Sequence, residues 1–355
     1  MSETHWIRRR WKLILNLVTL AALAVLIFAL RDQLVDTLNN LKNVNAWALL
    51  LMIPIEVVNY HSQARLYQRL FGMLGNKLSY KFLYQTSLEL NFVNHVFPSG
   101  GVTGISYFSL RLRDGPELSA SKATLVHFVK LGLTFISFEI LLVIGLFSLA
   151  IMGRANNLTI LVAAVLSTLL LMGTLGFMYI VGSKYRINTF FTAVTRGLNR
   201  TIKVVRPKHP ETINIRRAKL VFNEVHDNYQ QIKGRWVELR APFIYALIAN
   251  ITEILAIYVV YVAFGEFVNI GAVILAYAVA NFAGLISVLP GGIGIYEALM
   301  TAVMATAGVP AAVSLPVIVM YRVVNTVIQL PPGYYFYHRN LRRGGNGPEK
   351  NNATA

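Results

Sequence analysis

Two basic residues stand where a charge is hard to hold. Lys130 and Arg322 each lie about 11 residues into a long apolar run. At ~1.5 Å per helical residue that is a depth of roughly 16 Å, near the middle of a ~30 Å hydrocarbon core. An isolated cation there costs roughly 2.5–3.5 kcal/mol on insertion scales, so something anionic must offset it. Two offsets are open. One is a lipid phosphate held between Lys130 and Arg322; the other is a structural ion pair with Glu139, Glu253 or Glu297. The two are compatible if a substrate competes for the pair.

Two glycine-rich stretches flank these cations. Pro290, Gly291, Gly292 and Gly294 interrupt the apolar segment 271–304, and Pro98, Gly100, Gly101 and Gly104 interrupt an earlier one. Proline and glycine break helices, and inside a membrane the freed N–H and C=O groups need protein partners or a wet cavity. Both stretches therefore read as re-entrant hairpins, whose helix N-termini would add partial positive charge beside an anion. Asn91, Asn94 and Asn281 precede or enter these breaks and could bond the opened backbone or a substrate. Glu297 falls in the first turn after Gly294, where a carboxylate stabilises the helix dipole or serves as a proton or counter-charge switch. Glu139 and Glu253 read as structural or proton-linked.

Other chemistries find no support. His95, His127 and Glu89 lack metal-ligand spacing, so neither metal nor cofactor is expected. The glycine loops lack the strand–loop–helix context of a nucleotide site. Cysteine is absent, which excludes disulfides and thiol catalysis. No compact acid, base or nucleophile constellation appears, so an enzyme is not expected.

The elements that must position these residues are membrane helices. The 355-residue chain is 55% hydrophobic and 14% charged, with mean hydropathy +0.53. An all-α polytopic membrane protein follows, with about six transmembrane helices plus the two hairpins. Residues 13–30 form a first helix behind Arg8, Arg9 and Arg10, and residues 46–60 a second. Segments 119–152, 157–182, 242–265 and 310–337 supply the rest. A basic stretch, 184–240, reads as amphipathic helices on the inner leaflet. Of the 33 Lys and Arg, this layout places 28 in the cytoplasm, with Arg31, Lys42 and Arg154 outside and Lys130 and Arg322 in the core. That asymmetry is the positive-inside pattern and sets both termini inside, in a plasma (inner) membrane. The net charge of +17 is thus assigned to anionic lipid rather than nucleic acid. One membrane domain, 1–340, precedes a disordered tail, 341–355.

Aligning Gly100 and Gly101 with Gly291 and Gly292 also brings Asn91 within one position of Asn281 and Lys130 within one position of Arg322. One hairpin starts inside and the other outside, so repeats 46–152 and 242–338 would be inverted. Inverted repeats place a site near the midplane that can face either side.

At these residues the chain resembles the lysylphosphatidylglycerol synthase transmembrane-region, or flippase-like, membrane proteins. The resemblance rests on the loop from Pro290 to Glu297, the looser loop from Pro98 to Gly104, and the layout over residues 10–340. Ile105 stands where many relatives carry an acidic residue, so substrate details do not transfer. Nothing here is long enough to be the soluble synthase domain of some members. The resemblance implies translocation of anionic or lipid-linked substrates, or an accessory role in envelope assembly. Membrane lipids are then the expected partners, with a homo-oligomer a further expectation. A lipid-modifying membrane enzyme and a solute transporter or channel are the alternatives.

Overall fold

The computed structural model describes residues 35, 44–97, 102–114, 118–205, 215–286 and 294–343. The expected first helix, the tail beyond 343, and Gly100, Gly101, Pro290, Gly291 and Gly292 lie outside them. The helices are, in order, α1 Ala46–Leu50, α2 Met52–Met73, α3 Tyr80–Val96, α4 Val102–Asp114, α5 Ala120–Ile151 and α6 Asn157–Val181. They continue with α7 Lys184–Val205, α8 Ile215–Ile232, α9 Arg240–Ala263, α10 Ile270–Ile286, α11 Ile295–Thr306 and α12 Ala311–Arg343. No strand occurs among the described residues.

Local chemistry sets where these helices start. Ser79, Ser119 and Asn156 each accept a bond from a first-turn N–H, capping α3, α5 and α6. Among the described residues, α5, α6, α9 and α12 are long and apolar enough to cross a membrane. Their apolar side chains are not all hidden. Ile140, Val143, Phe147 and Ile151 of α5, with Leu161, Val165 and Met172 of α6, are exposed over a broad face. A water-soluble fold would not leave such a surface bare, whereas lipid matches it.

Each glycine-rich stretch separates two shorter helices that pack together: α3 with α4, and α10 with α11. The partners outside each pair are exchanged. The pair α3–α4 packs on α5 but also on α12; the pair α10–α11 packs on α12 but also on α5. Between them α2 and α9 form the most extensive helix contact. Two close approaches lock the exchange. A Cβ on Gly333 of α12 would lie 2.7 Å from the Leu88 carbonyl of α3. One on Gly271 of α10 would collide with the Gly145 carbonyl of α5. Small residues at crossings are how membrane helices gain dispersion contact without a hydrophobic driving force.

The basic stretch folds into α7 and α8, which pack on each other, with α8 also against α5. Ser121 Oγ donates to Glu224 Oε2 at 2.7 Å, and His226 Nδ1 bonds the Val181 carbonyl at 2.8 Å. α2 departs from expectation. It was to end near Tyr60 but continues to Met73, so Arg65 and Arg69 lie on the helix itself.

Candidate functional site

A chain of polar side chains runs through the interior where α2, α3, α5, α9 and α12 meet. It begins at Lys130, whose Nζ donates to Gln63 Oε1 at 2.9 Å and sits 5.0 Å from the Tyr67 ring centroid. Gln63 Nε2 donates to Asn59 Oδ1 at 2.7 Å. Asn59 Nδ2 is shared among the Ala249 carbonyl, Thr252 Oγ1 and Glu253 Oε1, at 3.0, 2.9 and 3.2 Å. On the other side of Glu253, Tyr321 Oη donates to Oε2 at 3.0 Å, and Asn325 Nδ2 donates to Tyr321 Oη at 3.3 Å. Gln329 Nε2 then reaches both Asn325 Oδ1 at 3.0 Å and Glu56 Oε2 at 2.9 Å. Asn91 Nδ2 closes the chain on Gln329 Oε1 at 2.6 Å and Tyr60 Oη at 2.5 Å.

Helical periodicity builds this spine. Glu56, Asn59 and Gln63 are spaced three and four apart on α2; Tyr321, Asn325 and Gln329 are four apart on α12. Residues so spaced share one face. An interhelical bond in a membrane contributes on average about 0.6 kcal/mol, against about 3 kcal/mol for one charge at the membrane centre. Stability alone therefore does not account for two carboxylates and a lysine here, which marks the spine as a candidate site.

Arg322 lies on the same helix but has its own partner. Its Nη1 donates to Glu297 Oε1 at 2.7 Å, with the side chains 13% and 5% exposed, and its guanidinium stands 5.0 Å from the Tyr296 ring centroid. Glu297 Oε2 accepts the Gly294 N–H at 2.7 Å, closing the start of α11. Gly294 has φ 84°, a left-handed conformation natural to glycine. The ion pair thus ties α12 to the end of the second glycine-rich stretch. Lys130 is different: among the described residues no carboxylate pairs with it.

The remaining candidates divide. Gly104 lies inside α4 rather than in a loop, and a methyl group there would collide with the Asn94 side chain. Those two residues therefore fix the approach of α3 to α4. Asn281 Nδ2 donates to the Tyr277 carbonyl of its own helix at 3.0 Å. Glu139 sits on α5 with a buried Oε2 that has no partner among the described residues. A separate cluster forms around Glu89, whose carboxylate accepts from Arg111 Nε at 2.9 Å, Tyr107 Oη at 2.8 Å, and Asn340 Nδ2. It ties α3, α4 and the end of α12 together.

Glu56, Asn59, Gln63, Asn325 and Gln329 were not among the residues singled out from sequence. Their three-and-four spacing within apolar helices was the available signal.

A UPF0104 membrane protein of Methanothermobacter thermautotrophicus is 31% identical over 97 residues, 27% of this chain and 29% of that protein. The similarity spans less than a third of that relative's length. The sequence profile of the lysylphosphatidylglycerol synthase TM region matches residues 13–333, most of the chain, and the protein belongs to that family.

Proposed function

We propose that the protein moves an anionic, phosphate-bearing or lipid-linked lipid between leaflets. The observation that carries this is Lys130, a cation deep in an apolar helix whose partners are an amide and an aromatic ring. A phosphate oxygen is a better acceptor for an ammonium than a neutral amide, because both partners of the bond are then charged. The Gln63 contact is therefore one a headgroup can displace. Arg322 would contribute when its bond to Glu297 opens, since its planar fork matches phosphate oxygens.

Alternating access follows from the exchanged packing. We take α3–α4 and α10–α11 as re-entrant hairpins of an inverted repeat. At ~1.5 Å per residue, α4 and α11 reach only ~20 Å, short of a ~30 Å core. Each hairpin leans on the long helix of the other half, so rocking one half opens the spine to one leaflet as it closes the other. We place the protein in the plasma membrane with α7 and α8 on the cytoplasmic leaflet.

The test is headgroup accessibility of a labelled phosphatidylglycerol in vesicles of phosphatidylcholine and phosphatidylglycerol holding the full chain. Wild type should speed exchange between leaflets over protein-free vesicles. A Lys130→Ala, Arg322→Ala, Glu297→Ala variant, which leaves no stranded charge at the pair, should fold and lose that exchange. Unchanged flux in the folded variant would rule out the cationic site.

A further inference from the structure

Two carboxylates lie in the spine, and their surroundings are unequal. Both oxygens of Glu253 have a donor, Oε1 accepting from Asn59 and Oε2 from Tyr321. Glu56 is not. Gln329 serves its Oε2, while Oε1 is buried without a hydrogen-bond partner among the described residues, on a side chain 2% exposed. An orphan carboxylate oxygen in an apolar interior is costly, and a proton is the smallest species that removes the cost.

We propose that Glu56 is a proton-binding site coupled to the lipid movement suggested above, on which this inference rests. The proton comes from bulk water on one side, bonds to Glu56 Oε1, and is released to water on the other, with no bond to the lipid made or broken. Glu253 faces Glu56 from the paired helix α9. Around Glu56, Tyr60 of α2, Tyr84 of α3, Tyr277 of α10 and Tyr321 of α12 lie within electrostatic reach. No cation is among these groups. Lys130 on α5 connects only through Gln63 and Asn59. A metal cation fits poorly, because the groups bonded to the two carboxylates, Gln329 Nε2, Asn59 Nδ2 and Tyr321 Oη, are all donors.

Coupling follows from charge. With both carboxylates ionised, Lys130 is the one positive charge along the spine among the described residues. A lipid phosphate on Lys130 takes up that charge and leaves the carboxylates unbalanced, so it favours protonation of Glu56. By linkage, protonation favours phosphate binding to the same degree. One proton then travels with one singly charged headgroup, in the same direction.

The experiment applies a pH step across the vesicles described above, acid outside, and follows labelled phosphatidylglycerol. Wild type should enrich the label in the inner leaflet by up to about tenfold per pH unit at one proton per lipid. A protonophore should abolish the enrichment. Glu56→Gln, near-isosteric, should still equilibrate the label but show no enrichment, while Glu139→Gln should behave as wild type. Movement by wild type that ignores the pH step overturns the coupling and leaves translocation standing. Enrichment that persists in Glu56→Gln, or follows a sodium gradient instead, also overturns it. If wild type moves no lipid under any gradient, translocation itself fails, and coupling fails with it. Infrared spectra of the purified protein then judge the proton site alone: a protonated-carboxyl band that Glu56→Gln removes upholds the site, and its absence sinks it.

Discussion

Lys130 and Arg322 hold matching places in the two halves, each about a third of the way along a long helix, but the fold surrounds them differently. Arg322 is neutralised by Glu297, and that carboxylate also caps α11, so the charge, the helix start and the glycine break form one unit. Lys130 is met by an amide that continues into a relay of side chains. The second half thus uses its cation to hold a helix end in place. The first half meets its cation with a neutral amide and an aromatic ring. If both halves descend from one repeat, structure and binding have been divided between them.

Breaking the ion pair should give the largest effect on stability. Glu297→Ala or Arg322→Ala leaves a lone charge in an apolar interior and should cost roughly 3–5 kcal/mol. Removing both together should recover much of that loss. Thermal unfolding in mild detergent reads this cycle, and additive losses would show that the two side chains do not act as a pair.

Next come the crossings at which α10 meets α5 and α3 meets α12. Gly271→Ala and Gly333→Ala place a methyl group against a neighbouring carbonyl and should each cost roughly 1–3 kcal/mol. Gly132→Ala is the control, since a Cβ there meets nothing within 4 Å. Equal stability of all three would mean that the helices do not approach as described. Smaller still is Gln63→Leu, which removes the acceptor for Lys130 and one bond to Asn59. By the measure of membrane hydrogen bonds it should cost about 1 kcal/mol in unfolding. A loss as large as that of Arg322→Ala would erase the contrast between the two cations.

Much of this was legible in the chain. The ends of α5, α6 and α9 and the start of α12 fall within two residues of the apolar runs that announced them, because length and hydropathy are local properties, whereas α12 runs six residues past its expected end at 337. The place of Lys130 and Arg322 about a third of the way along α5 and α12 followed from counting. The ion pair was among the open alternatives, with Glu297 one of three carboxylates named for it, and only the packing of α11 on α12 chooses among them. The spine is hidden in the sequence because polar and basic residues begin near Tyr60 and read as the end of the helix, whereas α2 continues to Met73. Its Glu56, Asn59 and Gln63 then looked like the edge of a helix rather than a buried stripe. Only tertiary packing shows that α9 covers that face. Gly104 was counted with the loop, but helix α4 begins at Val102, and the glycine serves helix contact.

The central claim is that one interior site around Lys130 meets both leaflets in turn. Thr134, one turn further along α5, is half-buried and close to cysteine in volume, and the chain has no cysteine of its own. The decisive measurement is reaction of Thr134→Cys with a membrane-impermeant thiol reagent, added to either side of sealed vesicles. The account predicts labelling from both sides, slowed by a short-chain anionic phospholipid and not by a zwitterionic one. Labelling from neither side, or from one side only with no protection by the anionic lipid, would contradict it.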